Sequence, residues 1–281
     1  MPILEIQDRL DLTRPALVLA ISGWVDGGMV ATKVGEHLAS HGNRVAEFRP
    51  DDIYDYRTAR PTLEIADGAT AAIHFPSLTI SAVSIDNVDL LVLTGTEPSG
   101  RWRELAAELA GLADTLEVTK VVAVGAVPAM VPHTLQTPVM VTSTDPTVEP
   151  TGIPGGRLVV PAALVSVLAD HVAKTNDIAE VGFWAQVPHY VSGVYWPGVE
   201  TMMNRLSTFL GVRTDLDEIQ TNAYEMVTRL DKAVAERPDV AEFITALEGT
   251  AFGFGLEDTV NLTDEIEDFL RSLGDEGNPS S

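Results

Sequence analysis

The chain contains no cysteine. Disulfides, a thiol nucleophile and a cysteine-ligated metal are therefore excluded. Positive charge is scarce: 18 lysines and arginines stand against 41 aspartates and glutamates, for a formal net charge of −23. Nucleic acid and anionic membrane surfaces repel such a chain, so neither is expected as a partner. Long apolar runs are missing too. No stretch approaches the ~18 apolar residues of a membrane-spanning helix. The start, Met1-Pro2-Ile3-Leu4-Glu5, has neither the basic nor the apolar region of a secretory leader. A cytoplasmic location is the expectation.

Catalytic signatures are also thin. There is no G-x-S-x-G elbow and no H-E-x-x-H pair. No metal-ligand spacing stands out. The sequence therefore assigns no catalytic residue, no metal and no cofactor.

What is present is alternation. The chain is 45% hydrophobic over 281 residues, enough for a sizeable core. Apolar, β-branched runs at 16–21, 90–93, 121–124, 139–142 and 181–184 read as strands. Helical spacing lies between them. Trp102, Leu105, Leu109, Leu112 and Leu116 form one stripe, with Ser99 as the expected N-cap. Pro161 suits the first turn of a helix carrying Leu164, Leu168 and Val172. Pro197 suits the start of one with Val199, Met202, Leu206 and Phe209. Strands alternating with helices predict an α/β domain over 1–212, its parallel sheet covered on both faces.

Beyond 212 no strand pattern appears. Leu216, Ile219, Ala223, Met226, Leu230 and Ala233 make a helical stripe. Val240, Phe243, Ile244 and Leu247 make a second, and Leu262, Ile266, Phe269, Leu270 and Leu273 a third. A helical appendage over 213–274 and a mobile polar tail over 275–281 are expected. Glu257, Asp258, Asp264, Glu265, Glu267 and Asp268 make the third helix strongly acidic, either a solvated face or a seat for a basic partner.

The run Ser22-Gly23-Trp24-Val25-Asp26-Gly27-Gly28 follows the first strand and leads into a helical pattern. Gly23 and Gly28 have the glycine spacing of a P-loop, but Met29 and Val30 replace its lysine and hydroxyl. The dinucleotide fingerprint also fails, and Asp26 would repel a phosphate. Two uses stay open: anion or carbonyl binding by backbone N–H groups, or a tight structural turn. Asp26 is expected to cap the next helix through N–H groups near Gly28 and Met29.

Loops at the carboxyl ends of parallel strands gather along one crevice. Here they bring Gly23, Trp24, Asp26, Gly27 and Gly28 together with Glu97, His133, His189 and Tyr190. A carboxylate, a histidine and glycine-rich backbone could support hydrolysis or phosphorolysis.

Five stretches resemble one family: GWVDGGMVATKV (23–34), DDIYDYRTARP (51–61), LTGTEPSGRWREL (93–105), VPAMVPHTLQTP (127–138) and VPHYVSGVYWP (187–197). They look like the motif blocks of the PAC-type proteasome assembly chaperone family, its bacterial and archaeal branch in particular. The resemblance runs from about residue 16 to 211. It implies a phosphorylase/hydrolase-like α/β fold, homo-oligomers, and protein binding or assembly, with proteasome subunits as the partner class. Some members carry an ATP-grasp label, but no such residue set is present here. The family often continues its histidine block as His-Thr-Arg-Pro. This chain reads His133-Thr134-Leu135-Gln136-Thr137-Pro138, without the arginine of that anion site. Members that dock on proteasome rings often end in a hydrophobic residue, tyrosine and any residue. Asn278-Pro279-Ser280-Ser281 does not, so docking by an inserted C-terminus is not expected.

In the second block Tyr54 and Tyr56 fall on one face if the segment is extended. Arg57 and Arg60 can pair with Asp52 and Asp55 or receive an acidic ligand. The block is either an ordered loop packed on the domain or a rim of the crevice or of an oligomer contact. Two functions remain open: an assembly or adaptor protein, or a phosphorylase- or hydrolase-like enzyme using the crevice.

Overall fold

A computed structural model describes residues 2–8, 11–153 and 159–250. The expected third helix with its acidic run, and the tail, lie outside the described residues. The elements are β1 (Leu4–Ile6), β2 (Ala16–Ser22), α1 (Val30–Ala39), β3 (Gly42–Phe48), α2 (Pro50–Ile53), β4 (Thr62–Ala66), β5 (Ala69–His74), β6 (Leu78–Ile85), β7 (Val88–Thr96), α3 (Trp102–Thr115), β8 (Lys120–Ala129), β9 (Val139–Ser143), α4 (Leu164–Asn176), β10 (Ala179–Pro188), α5 (Trp196–Leu210), α6 (Asp217–Ala235) and α7 (Pro238–Thr250). Among the described residues no helix is long and apolar enough to cross a membrane.

Eight strands form one sheet in the order β1-β3-β6-β7-β2-β8-β10-β9. The middle four, β7, β2, β8 and β10, are mutually parallel. This is the α/β core that the apolar runs predict. Its flanks are antiparallel: β6 on one side, β9 on the other. The run at 139–142 is thus an antiparallel edge strand of a mixed sheet. β4 and β5 pair with each other in a separate two-stranded sheet.

β2 shows why the middle strands are apolar throughout. Alternate residues of a strand point to opposite faces. Val18 and Ala20 pack with Val34 and Leu38 of α1 and Met202 and Leu206 of α5. Leu17 and Leu19 pack on the other face with Leu105 and Leu109 of α3 and Leu164 and Leu168 of α4. Both faces are covered, so neither register of the strand can be polar. Ile219 and Met226 of α6 join the first of these layers.

Two helix starts differ from expectation. Arg101, in a left-handed conformation at φ 59°, holds the N-cap position of α3. Ser99 instead accepts the Asp55 N–H at 3.3 Å and lies 3.0 Å from the Thr58 hydroxyl, tying the loop after α2 to this turn. Pro161 precedes α4 rather than opening it. The helix begins at Leu164, whose N–H donates to Glu97 Oε2 at 3.2 Å.

Candidate functional site

The four parallel strands run in one direction, so their following loops line one edge of the sheet. The turn after β2 is tightly filled. Val25 O accepts the Ala126 N–H at 2.7 Å and stitches the turn to β8. Gly28 has φ +59°, and a Cβ there would stand 2.6 Å from Tyr195 Cβ. Its carbonyl accepts the Tyr195 N–H at 2.8 Å. Gly23 packs on Glu97, where a Cβ would meet Glu97 Cβ at 2.7 Å. These two glycines are required by space and, at Gly28, by backbone conformation. Trp24 is 70% exposed.

Asp26 caps α1, though not through the N–H groups expected. Met29 holds the N-cap position with φ 51° and has no capping oxygen. Asp26 supplies one from upstream. Its Oδ1 accepts from the N–H groups of Ala31 at 2.8 Å and Thr32 at 3.3 Å, and its Oδ2 from the Thr32 hydroxyl at 2.5 Å. The displacement follows from the short 3-10 turn Gly27–Met29, which shifts the first free helical donors along the chain. Burial pushes the Asp26 carboxyl above its usual range, against the pull of these hydrogen bonds. A phosphate at this helix start would meet a carboxylate already holding two of its donors.

Glu97 sits after β7. Its N–H donates to Ser22 O at 2.7 Å, and its carboxylate faces the α4 N-terminus at Leu164. A negative charge there is favourable for the helix dipole. Glu97 is thus held between the β2 turn and α4.

His133, His189 and Tyr190 form the other half of the line, after β8 and β10. The Tyr190 hydroxyl accepts the His133 backbone N–H at 2.8 Å and lies 2.8 Å from His133 Nδ1. Which of these two groups donates follows the histidine tautomer, and the other ring nitrogen, Nε2, has no hydrogen-bond partner among the described residues. That nitrogen lies 3.4 Å from Asp231 Oδ1 of α6. The Tyr190 ring meets those of His133 and His189 edge to face at 5.8 and 5.5 Å. Phe243 of α7 stands 6.1 Å from the His189 ring and 6.4 Å from that of Tyr190. The Thr134 hydroxyl donates to Glu248 of α7. α6 and α7 therefore roof this end of the crevice. Neither ring nitrogen of His189 has a hydrogen-bond partner among the described residues. Burial lowers the pKa of both histidines, with Asp231 opposing the shift at His133, and raises that of Tyr190.

The second block is not an extended strand. α2 ends at Ile53, and Tyr54 turns inward, its hydroxyl donating to Thr96 O at 2.6 Å. Tyr56 stays half-buried and donates to Asp51 Oδ1 at 2.6 Å. The two rings therefore do not share a face. Arg57 pairs with Asp55 at 2.6 Å, and Asp52 pairs with Arg49 at 2.6 Å. Arg60 is exposed.

The loops meet as the strand order requires, but their functional groups do not converge. Asp26 binds its own helix, Glu97 the start of α4, and His133 the Tyr190 hydroxyl. No nucleophile–base pair joins the two halves among the hydrogen bonds of the described residues. Among those residues no cluster of three histidines, aspartates or glutamates is placed to hold a metal. Sequence reasoning missed Asp231, Phe243 and Glu248, the appendage side chains that cover the crevice. Tyr195, fully buried against Gly28, was missed as well.

The sequence model of the PAC2 family matches residues 20–234. The matched stretch thus runs past 212 and into α6. No curated protein matches the chain. A PAC2 family protein of Streptomyces avermitilis is 31% identical, with 82% of this chain and 99% of that one covered at a TM-score of 0.71. The proteasome-assembly chaperone homologue of Mycobacterium tuberculosis is 29% identical, with 82% and 99% covered at a TM-score of 0.73. An archaeal proteasome activator of Pyrococcus furiosus shares the fold at 14% identity, with 82% and 97% covered and a TM-score of 0.61.

Proposed function

The chain belongs to the PAC2 family, and from that premise we propose that it acts through its surfaces, as an assembly chaperone or adaptor for other proteins. The partner class is proteasome subunits, following the names of its similar structures. The protein works in the cytoplasm as a homo-oligomer built on the α/β core of 1–212, with the helices beyond as an appendage. Neither nucleic acid nor a membrane is a partner, in keeping with the net charge of −23.

One observation carries this reading over the enzyme. The strand-end crevice is filled by its own chain: Asp26 holds the donors of Ala31 and Thr32, and Phe243 stands over His189 and Tyr190. An enzyme of phosphorylase or hydrolase type needs such groups free to meet substrate.

Affinity capture of the tagged full-length protein from its native host, followed by quantitative mass spectrometry, tests the reading. Enrichment of proteasome subunits over a charge-matched control is expected. Calorimetric titration with ATP and magnesium runs beside it. No enriched subunit, together with micromolar nucleotide binding, would return the enzyme.

A further inference from the structure

We propose that Trp24 is a docking knob: with Met29, Val159 and Val160 it forms an apolar patch that enters a pocket, rimmed by basic side chains, on the partner protein. The inference rests on the adaptor reading above and names its contact.

The chain has four tryptophans. Three of them are packed or bonded. Trp102 donates its indole N–H to Pro98 O at 2.8 Å, and Trp184 donates to the Thr142 hydroxyl at 3.0 Å. Trp196 packs against the layer that α1 shares with α5. Trp24 stands apart from them at 70% exposure. Its neighbours are tied down on both sides. Gly23 is pressed against Glu97. Val25 packs on the layer of α3 and α4, and its carbonyl holds the Ala126 N–H. The ring therefore stands on a backbone that is fixed before any partner arrives, and a fixed anchor loses little freedom on binding.

A tryptophan has about 150–250 Å² to bury, so one ring makes an anchor and not a whole interface. Apolar neighbours extend it. Met29, at the other end of the same turn, is 42% exposed. The segment that enters α4 reaches the turn through Glu97, which packs on Gly23 and accepts the Leu164 N–H at 3.2 Å. That segment carries Val159 and Val160, 77% and 64% exposed. Tryptophan is also among the residue types that dominate interface energies.

Shape and charge select the occupant. A knob needs a concave seat. A second copy brought up by a two-fold axis sets knob against knob, and two chains of net charge −23 repel each other. An anionic membrane surface is repelled likewise. A basic protein surface is attracted. Glu97 places a carboxylate between the Trp24 turn and the segment of Val159 and Val160, so the rim that faces it carries lysine or arginine.

Capture of purified proteasome subunits of the native host on the immobilised full-length chain tests the proposal. The parent should bind, and Trp24→Ala should bind at least about tenfold more weakly, with its melting temperature unchanged. Tyr224→Ala removes a ring from α6 that is 75% exposed, and it should bind as the parent does. Rising salt should weaken binding, because the charges of the rim are screened. Undiminished binding by the folded Trp24→Ala chain, or binding indifferent to salt, overturns the knob and its basic seat while leaving the adaptor reading standing. A parent that binds no subunit overturns both. If Trp24→Ala does not fold, cross-linking decides, because the chain has no cysteine of its own. Met29→Cys carrying a benzophenone beside the intact ring should cross-link to a subunit, and Tyr224→Cys carrying the same group should not. Equal yields from the two sites, or none from Met29→Cys, overturn the knob.

Discussion

The Oδ1 oxygen of Asp26 lies 2.8 Å from the amide nitrogen of Ala31, the second residue of α1. The residue at the N-cap position, Met29, has no side-chain oxygen to offer. The 3-10 turn between them carries the cap three positions upstream without losing its targets. Asp26→Ala should cost about 1–2 kcal/mol, read as a lowered melting temperature. Asp26→Asn keeps an acceptor and sheds the burial cost of the charge, so its loss should be smaller. Equal losses for the two variants would show that charge at the helix start, not hydrogen bonding, is what counts.

Gly28 and Tyr195 form the tightest joint of the crevice. A Cβ on Gly28 would stand 2.6 Å from Tyr195 Cβ and 3.1 Å from Val187 Cγ1, in a backbone conformation at φ +59° that side chains disfavour. Tyr195 is fully buried and has no room to retreat. Gly28→Ala should therefore cost more than about 2 kcal/mol in urea unfolding. Gly100→Ala, which meets open space at an unexceptional φ, is the control and should stay within about 0.5 kcal/mol.

The parallel strands were legible because burial on both faces leaves apolar runs such as Leu90–Leu93. Of the flanking strands only β9 was, through the run at 139–142. Gly42–Phe48 mixes exposed Arg44 with buried Val45 and Phe48, and it has neither a clean run nor a clean period. The hairpins did leave a trace in Asp86-Asn87 and Asp67-Gly68, pairs whose positive φ angles suit tight two-residue turns. The loops of the crevice were legible from topology alone. The roof was not: Thr134 and Glu248 meet across 114 residues of chain. A helical stripe says that a helix is covered, not which loop it covers. Ser99 shows the same limit in miniature. Its residue type suited a cap, but the loop at Asp55 claimed its oxygen.

The buried histidines make the roof sensitive to acid. Burial holds the pKa of His133 and His189 below 6.5 in the folded chain. Below pH 6.5 the unfolded chain therefore binds more protons than the folded one, and stability falls with pH. Asp231 and Glu248 face His133 and soften its share. His189 faces the rings of Tyr190 and Phe243. Lowering the pH from about 7.5 to about 5 should lower the melting temperature, and His189→Gln should flatten that slope. A slope unchanged in His189→Gln would move the effect to His133 or to His37, whose pKa burial also lowers.

Phe243 tests what the roof covers. Its ring meets His189 and Tyr190 edge to face and is half-buried, so Phe243→Ala should cost about 2 kcal/mol, less than a fully buried ring. The loss should be local. Ile244 and Leu247 still anchor α7, being 4% and 2% exposed. Amide exchange should therefore speed up in α7 and in the loop around His133, and stay slow in β2 and β8. The same variant separates the two functional readings. A roof over a small-molecule site blocks entry, and opening it should create or strengthen binding of a nucleotide or a phosphorylated substrate in calorimetry. A roof that completes a protein-binding surface should leave calorimetry flat while capture of proteasome subunits weakens. The second outcome is the expected one, because Asp26 still holds the Ala31 and Thr32 donors in the opened chain and leaves an anion no cradle at the helix start.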